Sequence, residues 1–174
     1  GMYYYPRIDH DFLAAHSDGL IATSGCMAAE IPQSILKEKP EEAVRRINWY
    51  YDVFGPDRFF LELQQHDIPE ILELNRKLVE LGARYSAKYF ATNDVHYIEP
   101  DDYKYQDIML AIQTGAHLDD KDRMRMTDSS YYLRTPQEMS RIFAEVPESL
   151  SNTLLIAERC NVDLGFKGYH LPEF

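Results

Sequence analysis

Apolar positions in this chain switch between a period of two and a period near 3.6, and the switches mark its elements. Leu20-Ile21-Ala22-Thr23 is a short apolar, partly β-branched run closed by Ser24-Gly25, which predicts a buried strand ending in a tight turn. From Pro40 the period becomes helical. Ala43, Ile47, Tyr51 and Phe54 fall on one stripe, Glu41 and Glu42 complement the dipole of the first turn, and Gly55-Pro56 ends the helix. Residues 58–64 then alternate, with Phe59, Leu61 and Leu63 on one side and Phe60, Glu62 and Gln64 on the other, as a strand requires. Asp67-Ile68-Pro69-Glu70 has the form of a capping box ahead of a second helix that carries Ile71, Leu74, Leu78 and Leu81 and ends at Gly82. Lys88 to Thr92 is a third short strand, followed by Asn93-Asp94.

The order strand, helix, strand, helix, strand with short connections predicts an α/β fold whose strands are parallel and joined by right-handed crossovers. Beyond Pro100 the character becomes mainly helical. Tyr105, Ile108, Met109 and Ile112 form a stripe ended by Gly115, and residues 117–128, charged with mixed sign, read as a solvated loop. Thr135-Pro136-Gln137-Glu138 is a further capping box, and a last helix over about 148–160 places Leu150, Leu154, Ala157 and Cys160 on an apolar side.

Composition narrows the function classes. The 174 residues carry 29 acidic against 18 basic side chains, a formal net charge of -11. So acidic a chain is a poor general binder of phosphate backbones, and weak affinity for DNA at physiological salt is expected unless a local patch or another part of a larger protein supplies it. No apolar run reaches the roughly 18 residues of a membrane helix, and no leader pattern is visible, so no membrane association is expected. Two distant cysteines, Cys26 and Cys160, make no disulfide framework, and a reducing, cytoplasmic setting is expected. Gly1 ahead of Met2 reads as a tag remnant, so the chain is expected to be a piece of something longer.

Ligands in parallel α/β folds bind beyond the carboxyl ends of the strands. All three predicted strand ends carry a metal-ligand residue type: Cys26 after the first, His66 after the second, Asp94 and His96 after the third. Residues two apart in an extended segment point to one side, so Asp94 and His96 can reach one ion together. Thiolate, imidazole and carboxylate suit zinc, manganese or iron rather than calcium. Taken singly, Cys26 reads equally as a small buried hydrophobe and His66 as a residue that orients its loop. His10, His16, His117 and His170 sit in polar surroundings and read as surface residues, Cys160 reads as core, and Tyr3-Tyr4-Tyr5 reads as a packing patch. Ser24-Gly25-Cys26 lacks the second glycine of a nucleophile elbow, and no phosphate-cradling glycine loop is present.

Residues 19–26, 61–66 and 91–97, together with Ile112-Gln113-Thr114-Gly115, Asn152-Thr153, Glu158-Arg159-Cys160-Asn161 and Leu171-Pro172, resemble successive blocks of the bacterial DNA polymerase III alpha subunit, the C-family replicative polymerases. The resemblance implies that residues 1–97 are the second half of a PHP (polymerase and histidinol phosphatase) domain, a partial (β/α) barrel with parallel strands. Residues 98–174 would be a helical link toward the polymerase palm. It implies Cys26, Asp94 and His96 as metal ligands, with His66 in a family block as a further candidate, and a divalent zinc, manganese or iron at that site.

The family's early His-x-His pair and its further His and Glu ligands have no counterpart here and belong upstream. The palm carboxylates that hold magnesium belong downstream. The resemblance therefore implies a slice of a replicase that acts on DNA and deoxynucleoside triphosphates alongside a proofreading exonuclease subunit and a sliding clamp. The slice itself is expected to be inactive in polymerisation and to bind metal weakly. Its PHP part has either a 3′→5′ exonuclease role or a structural one. An incomplete barrel leaves an open sheet edge, which favours self-association. The alternative is a free-standing PHP phosphoesterase acting on a small phosphate monoester.

Overall fold

The computed structural model describes residues 2–3, 5–126, 128–163, 165 and 168. Two two-residue strands, β1 (Met2–Tyr3) and β2 (Tyr5–Pro6), pair antiparallel at the start. The body is a three-stranded sheet of order β3-β4-β5, formed by Ala22–Thr23, Phe59–Gln64 and Lys88–Thr92. All pairing in it is parallel, with Thr23 opposite Phe60 and Leu61 opposite Tyr89. Helices α3 (Pro40–Phe54) and α4 (Pro69–Ala83) cross between strands, as the alternating periods predict. The sheet with its helices is part of an α/β barrel.

The alternation along β4 decides how the sheet packs. Phe59, Leu61 and Leu63 are buried, and with Tyr89 and Ala91 of β5 they join Ala43, Ile47 and Phe54 of α3 and Leu74 and Leu78 of α4 in one core. The ring of Phe59 stacks on Tyr50, with centroids 4.8 Å apart, and meets Tyr51 edge-on at 5.2 Å. The opposite face of the sheet is polar at its centre. The Glu62 carboxylate accepts hydrogen bonds from Thr23 Oγ1 at 3.2 Å, Thr92 Oγ1 at 2.7 Å and Gln64 Nε2 at 3.0 Å, so one acid ties all three strands together.

Several sequence expectations change. The first strand is only Ala22–Thr23; Ser24 beyond it is buried, and its hydroxyl accepts the Glu62 backbone N–H at 2.8 Å. Short helices α1 (His10–Ala15) and α2 (Glu30–Leu36) were not signalled by the apolar pattern. The capping box expected at Asp67 does not form. Helix α4 starts at Pro69 with Ile68 as its cap residue, and the Asp67 N–H donates instead to Asp128 Oδ2 at 3.0 Å.

The later helices depart further. Helix α5 (Tyr103–Thr114) buries Leu110 and Ala111, while Tyr105, Ile108, Met109 and Ile112 are 40–69% exposed. The period was right, but the partner lies on another side of the helix. Helix α7 (Glu148–Arg159) packs on β5, where Asn152 Nδ2 donates to the Tyr89 carbonyl at 2.7 Å. That contact turns Leu154 outward and leaves Cys160, read as core, an exposed C-cap residue. The loop read as solvated holds one buried charge: Arg123 pairs with Asp107 of α5 through both its terminal nitrogens. The packing expected of Tyr3-Tyr4-Tyr5, the position of His170 and the Leu171-Pro172 block lie outside the described residues.

The capping box at Thr135 does form, at the head of α6 (Pro136–Ile142). Glu138 there accepts from Tyr132 Oη at 2.7 Å and from the Thr135 N–H at 2.8 Å. These donors, the Tyr132 hydroxyl foremost, hold its pKa down at about 2. A carboxyl whose folded pKa lies below its free value of about 4.3 contributes stability above that value and loses it as the pH falls through the folded one. Glu138→Gln is therefore expected to melt below the wild type at pH 7, with the gap closing as the pH falls toward 2. Melting curves that keep a constant gap across that range would contradict the assignment.

Candidate metal centre at the strand ends

Because all three strands run parallel, their carboxyl ends lie at one end of the sheet. Cys26 follows β3, His66 follows β4, and Asp94 and His96 follow β5, each on the first few residues of an outgoing loop. Asp94 takes a left-handed backbone conformation, with φ of 44°. Aspartate tolerates that region better than most residues, and such strain concentrates at functional sites.

Asp94 and His96 come together, with His96 Nδ1 3.8 Å from Asp94 Oδ1 and 2.7 Å from the Asp94 carbonyl. His66 is 1% exposed; its Nδ1 pairs with Ser130 Oγ at 2.7 Å, and its Nε2 is buried without a hydrogen-bond partner. Burial, foremost, pushes the His66 pKa down and favours the neutral imidazole, while the Asp128 and Asp94 carboxylates pull the other way. The Tyr131 ring touches both imidazoles, stacked on His66 with centroids 3.9 Å apart and edge-on to His96 at 5.5 Å.

Cys26 stands apart. Its side chain is exposed and lines a small recess with Glu62, Gln64 and Asn75. Strand β4 lies between β3, which Cys26 follows, and β5, which Asp94 follows. Among the described residues, no three His, Cys, Asp or Glu side chains gather to hold a metal ion. The donors fit a borderline cation in kind, neutral imidazole with carboxylate and an orphaned ring nitrogen, but as part of a set rather than a whole one. His10, His16 and His117 are exposed; His10 pairs with Glu30 at 3.0 Å and stacks on Trp49.

The sequence reading missed two parts of this region. One is Glu62, whose signal was an acid inside a strand flanked by threonines on its neighbours. The other is the segment 128–134, which returns from the tail to grip the strand-end loops. Asp128 accepts the Asp67 N–H, Asn93 Nδ2 donates to the Tyr132 carbonyl, and Arg134 Nη1 donates to the Gln65 carbonyl at 2.7 Å. The His96 N–H donates to the Tyr131 carbonyl at 2.8 Å, and Tyr97 bridges Tyr132 in parallel.

A parallel α/β sheet with ligand-type residues at its carboxyl ends defines the class, and residues 1–66 match the PHP domain family. Over its whole length the chain is 41% identical to the DNA polymerase III subunit alpha of Thermus aquaticus across 180 aligned residues. It is 41% identical to that of Borreliella burgdorferi across 175. It is 38% identical to that of Treponema pallidum across 172 residues, 99% of the chain. The chain is thus similar along its length to DNA polymerase III alpha subunits and spans about 15% of the length of these relatives. Among the described residues, no helix is long and apolar enough to cross a membrane.

Proposed function

We propose that this chain is a segment of a replicative DNA polymerase III alpha subunit, an enzyme that extends a primer on a DNA template from deoxynucleoside triphosphates in the cytoplasm. The observation that carries this is similarity along the entire chain to proteins named as that subunit. In this reading residues 1–97 are the later part of the PHP domain. Residues 98–174 link it toward the palm, where two magnesium ions serve polymerisation, and the proofreading exonuclease and sliding clamp are partners of the whole subunit. The acidic charge of -11 supports assigning the main DNA-binding surface to other parts of that subunit. Similarity to polymerase subunits over the whole chain favours this over a free-standing phosphoesterase.

The strand-end residues form a part of the PHP metal centre. Cys26, Asp94 and His96 are its proposed ligands, with His66 as a further one, for zinc, manganese or iron. A bound cation of this kind polarises a phosphodiester and lowers the pKa of bound water, which is the chemistry a 3′→5′ exonuclease needs. The chain's own residues orient donors and exclude water: His66 is sealed beneath Tyr131, the His96 N–H is held by the Tyr131 carbonyl, and Asn93, next to Asp94, is held by the Tyr132 carbonyl.

Protein expressed from the complete reading frame tests the proposal. It is expected to elongate a primed template with magnesium and the four triphosphates, while residues 1–174 alone do not. A reading frame that stops near residue 174, or a complete product that hydrolyses a small phosphate monoester and extends no primer, would overturn it.

A further inference from the structure

The segment 128–134 belongs to the tail by sequence, beyond the stretch matched by the PHP family, yet it supplies the contacts that orient both strand-end histidines. Ser130 is 64 residues from His66 in sequence and sits 2.7 Å from its Nδ1. The Ser130 N–H is itself fixed by Asp128 Oδ1 at 2.6 Å, while the other Asp128 oxygen holds the Asp67 N–H. One carboxylate thus locks the strap to the loop that carries His66. Tyr131 covers the flat face of that imidazole and its ring edge meets His96.

A histidine ligates a metal through one ring nitrogen when the other donates its hydrogen to a fixed acceptor, which selects the tautomer and ring plane. His66 has one nitrogen on Ser130 and the other buried with no hydrogen-bond partner. A buried nitrogen carrying only a lone pair costs less to leave unpaired than a buried N–H. From this, we propose that the Ser130–Tyr131 strap is a positioning element of the metal centre: His66 Nδ1–H donates to Ser130 Oγ, which keeps the Nε2 lone pair free for a divalent cation. Tyr131 holds the His66 and His96 ring planes relative to each other. The inference rests on the strand-end residues being a metal site, but the tautomer it requires is a property of the metal-free chain.

Nitrogen-15 NMR of the histidine-labelled 174-residue chain, with zinc titrated by calorimetry into the protein expressed from the complete reading frame, tests both halves. In metal-free wild type the His66 signal is expected to show an unprotonated Nε2. Ser130→Ala is expected to give a tautomer mixture and about 10- to 100-fold weaker zinc binding, and Ser130→Thr, which keeps the hydroxyl, to restore both. An Nε2–H tautomer in wild type overturns the proposal whether or not zinc binds. The expected tautomer with zinc affinity unchanged in Ser130→Ala overturns the positioning role alone. The expected tautomer with no zinc uptake by the complete wild-type protein shows that the metal-site reading itself is wrong, and the positioning role falls with it.

Discussion

Phe59→Ala is expected to cost about 3–5 kcal/mol, the usual range for emptying a fully buried phenylalanine site. Phe59 is 0% exposed, and its ring is held between Tyr50 and Tyr51 of the crossover helix. Those rings cannot collapse into the gap, because Tyr50 is anchored through its hydroxyl to Glu30 at 2.9 Å and Tyr51 stacks on Tyr85. Against a total stability of about 5–15 kcal/mol for a domain of this size, the loss is a large share of the whole. Urea unfolding read by far-ultraviolet circular dichroism measures it. Leu154→Ala on the outer side of the last helix, where the side chain is 67% exposed, is the control and is expected within about 0.5 kcal/mol of wild type. A Phe59→Ala effect as small as the control's would mean that the helix-covered face of the sheet is not the core.

Arg123→Ala is expected to destabilise the chain and to free the loop over residues 117–126. The Arg123 side chain is 2% exposed. Besides its two-pronged pairing with Asp107 it donates to the Leu118 carbonyl at 3.2 Å and the Met124 carbonyl at 3.3 Å, so its guanidinium ties two points of the loop to α5, beside Arg125, whose Nη2 donates to the Leu118 and Asp120 carbonyls. Removing it does not strand a fully buried carboxylate, since Asp107 is one-third exposed and can hydrate, which keeps the cost below that of breaking a sealed ion pair. The Arg123 hydrogen bonds are also the main reason that the Asp107 pKa is held low, so the effect of the substitution is expected to shrink in acid. Amide hydrogen exchange over residues 117–126 is the sensitive readout. Unchanged protection there would show that the loop is held by something other than this pair.

These two sites also show what could be read from the sequence and what could not. The helices over Pro40–Phe54 and Pro69–Ala83 and the strands at Phe59 and Lys88 were legible because each has an unbroken apolar period and a stop signal beside it. Periodicity reports that a face is apolar, not where its partner is. That is why Tyr105 and Ile112, on a well-formed stripe, are exposed while Leu110 and Ala111 are buried. Mixed charge in residues 117–128 read as solvated because the partner of Arg123, Asp107, lies 16 residues earlier on another element.

The strand-end positions of Cys26, His66, Asp94 and His96 were legible, but that Cys26 stands apart from the Asp94–His96 pair was not. Nor were their supports. Ser130 and Tyr131 act across a long sequence separation, and Glu62 had no mark beyond an acid in an alternating strand.

The metal proposed at the carboxyl ends of these strands belongs to the whole subunit. Anomalous diffraction from crystals of the protein expressed from its complete reading frame, grown with manganese, tests it most directly. The predicted result is an anomalous peak within about 2.0–2.3 Å of Asp94 and His96 donor atoms. Manganese peaks only elsewhere in the molecule, with the Asp94–His96 pair left bare in fully loaded crystals, would contradict it.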